Sequence, residues 1–138
     1  AAPTGSHSGA PNPYKSILPE NFMLFFEYPP CSTCRRAKAW LDANGVGYTA
    51  RHIKDEPPSA DELAEWIRIS GLDVKKFFNT SGQIYRSMKL SEKLPAMSFT
   101  EAVSLLAADG MLIKRPLVID GDTVLVGFRE SEWEEKLL

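Results

Sequence analysis

The run FMLFFEY, residues 22–28, is nearly continuously apolar and ends at two prolines, after which Cys31 and Cys34 form a Cys-x-x-Cys. An apolar run this short fits a strand buried on both faces of a sheet. Beyond it, Ala37, Trp40 and Leu41 recur at helical spacing and Ala43-Asn44-Gly45 supplies a stop, which predicts a helix over 32–44. VGYTARHI, residues 46–53, reads as a second strand. Strand, helix and strand of these lengths make a right-handed βαβ unit with a parallel pair, and the cysteines fall at the carboxyl end of its first strand.

The middle of the chain has a different pattern. SADE at 59–62 has capping-box spacing, with Leu63, Trp66 and Ile67 following on one face, and predicts a helix that stops near Gly71. A short helix is expected over 73–78 and another from Ser98 to Ala108, with NTSGQIYR (79–86) as a polar turn of uncertain continuation. No strand-like run interrupts this stretch, so about residues 59–108 read as a helical insertion. Strands return with PLVID and TVLVGF, which flank Asp120-Gly121-Asp122 and predict an antiparallel hairpin, and RESEWEEKLL closes with an amphipathic helix. The expected architecture is α/β: a mixed four-stranded sheet of thioredoxin-like order with a helical insertion, over residues 22–138. Trp40, Trp66 and Trp133 lie at helical core spacing and are assigned to packing.

With 138 residues the chain has one domain's worth of core. Its 16 Lys and Arg against 18 Asp and Glu leave a net charge of −2, which argues against a general nucleic-acid binder. No apolar run approaches the roughly 20 residues of a membrane helix. Residues 1–21, rich in Ala, Pro, Gly and Ser, read as a flexible tail or an expression remnant without a signal peptide, and Met23 is a candidate natural start. Two cysteines alone, at this spacing, fit a reducing cytoplasm. The expectation is a soluble cytoplasmic monomer with no direct contact to nucleic acid or membrane.

Cys31 and Cys34 admit three readings: a redox pair, half of a metal site, or small apolar core residues. A thiol reacts as its thiolate, and a helix start favours the anion through free backbone N–H groups and the dipole. That makes Cys31 the candidate nucleophile, aided by Arg35 and Arg36 in the first turn, and Cys34 the resolving thiol. A zinc site needs about four ligands, and His52 and the distant His7 are the only histidines, so metal binding would need a second chain. As core residues, the cysteines would simply pack. In KRPLVI, residues 114–119, a proline opening a strand predicts a cis Arg115-Pro116 bond facing the cysteines. Arg129, just past the last strand, is expected back at the same sheet end, where arginines and a helix N-terminus suit an oxyanion; the alternative is a solvated arginine paired with Glu130 or Glu132.

YPPCSTCRRAKAWLDANGV, FFNTSGQIYR and LLAADGMLIKRPLVIDGDTVLVGFRE together resemble the arsenate reductase (ArsC)/Spx family, in particular its reductase-like branch, over residues 24–137. The resemblance implies a thioredoxin-like fold with a helical insertion. It implies that Cys31 is the nucleophile and that Arg115 and Arg129 match two of three oxyanion-holding arginines. The third position falls on Asn79, where a neutral side chain replaces a bidentate cation. It further implies catalytic roles for Cys31, Cys34 and Arg115, and a substrate pocket of Arg35, Asn79, Arg115, Pro116 and Arg129. The substrate would be a small oxyanion or a glutathione-type disulfide, with no tightly bound cofactor and with glutathione, glutaredoxin or thioredoxin as reductant. Spx-type regulators carry a Cys-x-x-Cys at this place as a redox switch and bind the C-terminal domain of the RNA polymerase α subunit. By that likeness the alternative function is a redox-sensing regulator, whose polymerase contact would fall on the helix around Gly71.

Overall fold

The computed structural model describes residues 23–138, so the expectations for residues 1–21 lie outside the described residues. Four strands, β1 (Leu24–Glu27), β2 (Thr49–His52), β3 (Leu117–Asp120) and β4 (Thr123–Val126), form one mixed sheet in the order β2-β1-β3-β4. β1 runs parallel to β2 and antiparallel to β3, and β3 is antiparallel to β4. This is the thioredoxin-like sheet expected from the sequence. The β3–β4 turn is the two residues Gly121 and Asp122, with Gly121 at φ 61°, as a hairpin turn with glycine at its first central position requires.

The apolar character of β1 has a direct structural reason: it serves two cores. Leu24 and Phe26 face one layer with Leu117, Ile119, Leu63, Ile67 and Leu106. Phe25 faces the other with Ala37, Leu41, Val118, Leu125 and Trp133. Alternate side chains point to opposite faces, so a central strand covered on both sides must be apolar throughout. The second layer is built by α1 (Ser32–Ala43) and α6 (Glu130–Leu137), the first by α2 (Ala60–Ser70) and α5 (Phe99–Ala108). Trp133 is fully buried, with its indole N–H donating to the Gly127 carbonyl at 3.2 Å. Trp40 and Trp66 are half-buried, packed edge-on or tilted against Trp133 and Phe26 respectively.

Both capping boxes form as read, Ser59 with Glu62 and Ser98 with Glu101, and Gly71 ends α2 in the left-handed conformation. Four boundaries differ from the sequence reading. β2 is only Thr49–His52, because β1 offers it just four partners, Leu24 to Glu27. Asn44 caps α1 instead of continuing it. Residues 74–77 make a 3-10 turn, with Asp73 bonded to the Lys75 N–H. The uncertain stretch after NTSG holds two short helices, α3 (Gln83–Ser87) and α4 (Leu90–Lys93), separated by Lys89 at φ 55°. Tyr85 and Leu90 anchor them in the core.

One glycine fixes how the insertion rejoins the sheet. A Cβ on Gly110 would lie 1.9 Å from the Ile53 carbonyl oxygen, at the end of β2. Only glycine lets the turn after α5 approach that closely, and this turn leads directly into Arg115.

Candidate active site

Strand directions gather the site at one end of the sheet. The carboxyl ends of β1, β2 and β4 and the amino end of β3 coincide there. Cys31, Pro116 and Arg129 therefore leave the sheet from the same edge, and the Gly127 N–H bonds the Pro116 carbonyl at 2.8 Å. The Arg115-Pro116 bond is cis, as the sequence reading predicts, and Pro116 is buried one residue before Leu117, the partner of Phe26.

Cys31 is the N-cap of α1, and its sulfur accepts the Cys34 N–H at 3.5 Å. Cys34, one turn on, is fully buried, and its sulfur accepts the Tyr28 N–H at 3.5 Å. The two sulfurs are not bonded to each other. Partial burial works to raise the Cys31 thiol, but the Cys34 N–H, the Cys34 thiol, the Thr33 N–H and the Arg115 charge outweigh it and bring it below the ordinary value. Burial pushes Cys34 up to about 12, helped by the neighbouring Cys31 and only partly opposed by the Tyr28 N–H and Arg115. One of the two gives up its proton first, and it is Cys31. Cys34 stays a thiol that donates to the Cys31 sulfur.

Arg115 reaches both sulfurs with its charge and lies with its guanidinium 5.1 Å from the centre of the Tyr28 ring. Its Nη1 donates to the Met111 carbonyl at 3.4 Å, and its buried Nε has no hydrogen-bond partner. The other expected residues are arranged more loosely. Arg35 and Arg129 are exposed, with no side-chain partner among the described residues, so Arg129 makes no ion pair with Glu130 or Glu132. Asn79 is half-buried, its N–H bonded to the Leu112 carbonyl at 2.7 Å. With the Phe78–Ile113 bridge, this holds Asn79 alongside the segment that leads to Arg115. Thus Cys31, Cys34 and Arg115 come together with Pro116 at the same end of the sheet, whereas Arg35 bonds the Cys31 carbonyl only through its main-chain N–H, at 3.1 Å, and its guanidinium, like that of Arg129, is exposed. Arg36 is instead placed 6.0 Å from the Phe128 ring.

Tyr28 is a residue the sequence reading passed over. Its main chain accepts the Cys31 N–H at 2.8 Å and donates to Cys34, while its ring meets Arg115 and, edge to face, His52 at 5.8 Å. The signal was its place immediately before the two prolines, but aromatic character at a strand end reads equally well as core. His52 is not near a metal-binding cluster: among the described residues no three His, Cys, Asp or Glu side chains converge. Its Nδ1 instead accepts the N–H groups of Lys54 and Asp55, each at 3.2 Å.

A thioredoxin-like sheet with a polarised thiol pair at the start of its first helix defines the class of thiol-bearing proteins to which this chain belongs. More narrowly, the chain is a member of the ArsC family, whose pattern matches residues 26–136. It is 54% identical over 113 residues to the uncharacterized protein YusI of Bacillus subtilis, spanning 82% of this chain and 96% of that protein. A solved structure of a possible arsenate reductase from Streptococcus mutans superposes with a TM-score of 0.77 at 49% identity, covering 83% of this chain and 98% of that one. The global transcriptional regulator Spx of Listeria innocua is 31% identical over 110 residues, 80% of this chain and 82% of that protein. Reductase-like and regulator relatives therefore share this fold and span nearly the same residues. No described helix is long and apolar enough to cross a membrane.

Proposed function

We propose that the protein is a thiol-dependent oxidoreductase in which Cys31 is the nucleophile and Cys34 the resolving thiol. The observation that carries this reading is the opposite displacement of the two thiols: Cys31 lowered at a helix start, Cys34 buried and pushed up to about 12. Burial in a core accounts for the raised Cys34, but core packing gives no reason for a part-exposed Cys31 at a helix N-cap whose sulfur accepts a backbone N–H.

The Cys31 thiolate attacks one sulfur of a small disulfide, forming a mixed disulfide at Cys31 and releasing the other half as a thiolate. Cys34 then loses its proton to that departing thiolate and attacks the Cys31 sulfur. The Cys31–Cys34 bond forms, the second half of the substrate leaves as a thiolate that takes a proton from water, and two electrons have passed from the pair. An external dithiol of the thioredoxin or glutaredoxin type, or glutathione, restores the reduced pair. Neutral Asn79 and an Arg129 that is exposed and without a side-chain partner favour a disulfide substrate over a tetrahedral oxyanion, which calls for several converging cations.

The test is intact mass spectrometry of the reduced protein mixed with glutathione disulfide, beside an arsenate-plus-thiol assay. Wild type is expected to reach an internal disulfide with release of two glutathiones. Cys34→Ser should stop at a single glutathione adduct on Cys31, and Cys31→Ser should react with neither substrate. An adduct on Cys34 in the wild type, or no reaction at all, overturns the assignment; arsenate turnover would replace the disulfide by the oxyanion as substrate.

A second reading is favoured by one surface feature. Ile69 and Leu72, 38% and 44% exposed, flank Gly71 at the end of α2, a region well apart in sequence from the thiols. In a redox-sensing regulator related to Spx, this apolar edge would meet the C-terminal domain of the RNA polymerase α subunit, and the Cys31–Cys34 bond would alter that contact. Binding to that domain without turnover of any thiol substrate would establish it.

A further inference from the structure

Among the described residues, Arg115 is the one guanidinium whose charge reaches both sulfurs, yet its own hydrogen bonding is poor. A buried Nε without a partner and one long bond of 3.4 Å to Met111 do not fix a five-donor side chain. The best-placed contact it has is the Tyr28 ring, 5.1 Å from Cζ. A cation over an aromatic face is attracted by the ring's electron density, most strongly where water is excluded. The ring is in turn braced from its far neighbour: His52, opposite Glu27 in the β1–β2 ladder, meets it at 90°, and two backbone N–H groups hold the His52 imidazole in place.

We infer that Tyr28 is a positioning residue, whose ring seats Arg115 beside the thiol pair and so sets the reactivity of Cys31 through Arg115. The main chain of Tyr28 already touches both cysteines, so one residue fixes the thiols by its backbone and their cation by its side chain. The hydroxyl plays no part in this role, since the contact is with the ring face. The inference rests on Cys31 being the reactive thiol, but not on which substrate it meets.

The experiment is the pH profile of Cys31 alkylation by iodoacetamide, resolved by peptide mass spectrometry, in full-length protein. The charged or titratable groups that touch the ring or the thiols are Arg115, Cys34 and His52, so the series is repeated in a His52→Gln background to take the imidazole out of the comparison. Tyr28→Leu, and Tyr28→Met as a second variant of similar bulk, should shift the profile to higher pH and slow alkylation near neutral pH roughly three- to tenfold. Tyr28→Phe should restore the wild-type profile. Arg115→Ala should match Tyr28→Leu, and the double variant should move no further, because both remove the same interaction.

An unchanged profile in folded Tyr28→Leu and Tyr28→Met, or additive shifts in the double variant, overturns the inference. Because no substrate is added, these outcomes are separate from failure of the disulfide reaction. An enzyme reading that falls in the glutathione assay leaves the alkylation profile standing, and the reverse holds equally.

Discussion

At the thiol end of the sheet, backbone N–H groups meet the Cys31 and Cys34 sulfurs at 3.5 Å, Arg115 has an unpaired Nε, and Arg35 and Arg129 stand in solvent. In the insertion, α2 and α5 each begin with a reciprocal capping box whose bonds measure 2.8–3.1 Å, and Leu63, Ile67 and Leu106 are buried between them and the sheet. Donors aimed at a sulfur and a half-satisfied guanidinium do little for stability, but they leave a thiolate beside a cation. Satisfied caps and buried leucines do little chemistry, but they keep the turn before Arg115 in place. On the proposed function, the work is separated: burial in the insertion holds the frame, and the reactivity would rest on the less fully satisfied groups at the sheet end.

The separation breaks most visibly if a core change in the insertion reaches the thiols. Leu106→Ala removes a fully buried side chain from the layer beneath the sheet and should cost about 2–5 kcal/mol in urea unfolding. The alkylation profile of Cys31 should stay where it is under native conditions. A shifted profile would mean that the insertion sets the chemistry as well as the stability.

Gly110→Ala tests a place where the two regions are joined. An added Cβ would meet the Ile53 carbonyl, so either β2 or the turn must move, at a cost of about 1–3 kcal/mol or more. Met111, which follows at once, holds Arg115 through its carbonyl. This variant should therefore lose stability and also slow Cys31 alkylation, unlike Leu106→Ala. Lost stability with unchanged alkylation would show that the Tyr28 ring alone suffices to seat Arg115.

The frame was legible in the sequence because it depends on patterns that repeat. The unbroken apolar run of β1, both Ser-x-x-Glu caps, Gly71 and the Gly121 turn each announce a backbone requirement that any tertiary setting must meet. α3 and α4 were not legible, since they are four or five residues long and rest on the single anchors Tyr85 and Leu90 rather than on a periodic face. At the site, Cys31, Cys34, Arg115 and the cis proline follow from spacing and family likeness. Tyr28 does not, because its role comes from three elements meeting around one ring: the end of β1, His52 of β2 and the loop before β3. The 3-10 turn at 74–77 likewise depends on the Asp73 side chain taking the Lys75 N–H, a local competition that helical spacing does not reveal.

The smallest expected effect sharpens the contrast within the thiol pair itself. Cys34 has a folded-state value raised to about 12, so the folded protein keeps its proton where an unfolded chain, with a thiol near 8.5–9, releases it. The unfolded state then binds fewer protons, and stability present below about pH 9 falls as pH rises toward 12, by at most about 1.4 kcal/mol per pH unit. Cys31 acts with the opposite sign: its lowered value adds stability above the unfolded thiol's range, which is lost as pH falls through the folded value. Between pH 9 and 10 the Tyr48 phenol, raised from its ordinary 10 to about 12, adds a smaller contribution of the same sign, so the wild-type slope should be negative and mainly due to Cys34. Cys34→Ala should flatten it, whereas Cys31→Ser should leave a negative slope. Equal slopes in wild type and Cys34→Ala, measured by urea unfolding under reducing conditions, would mean that the buried thiol ionises in place, and the polarisation of the pair would have to be sought in Cys31 alone.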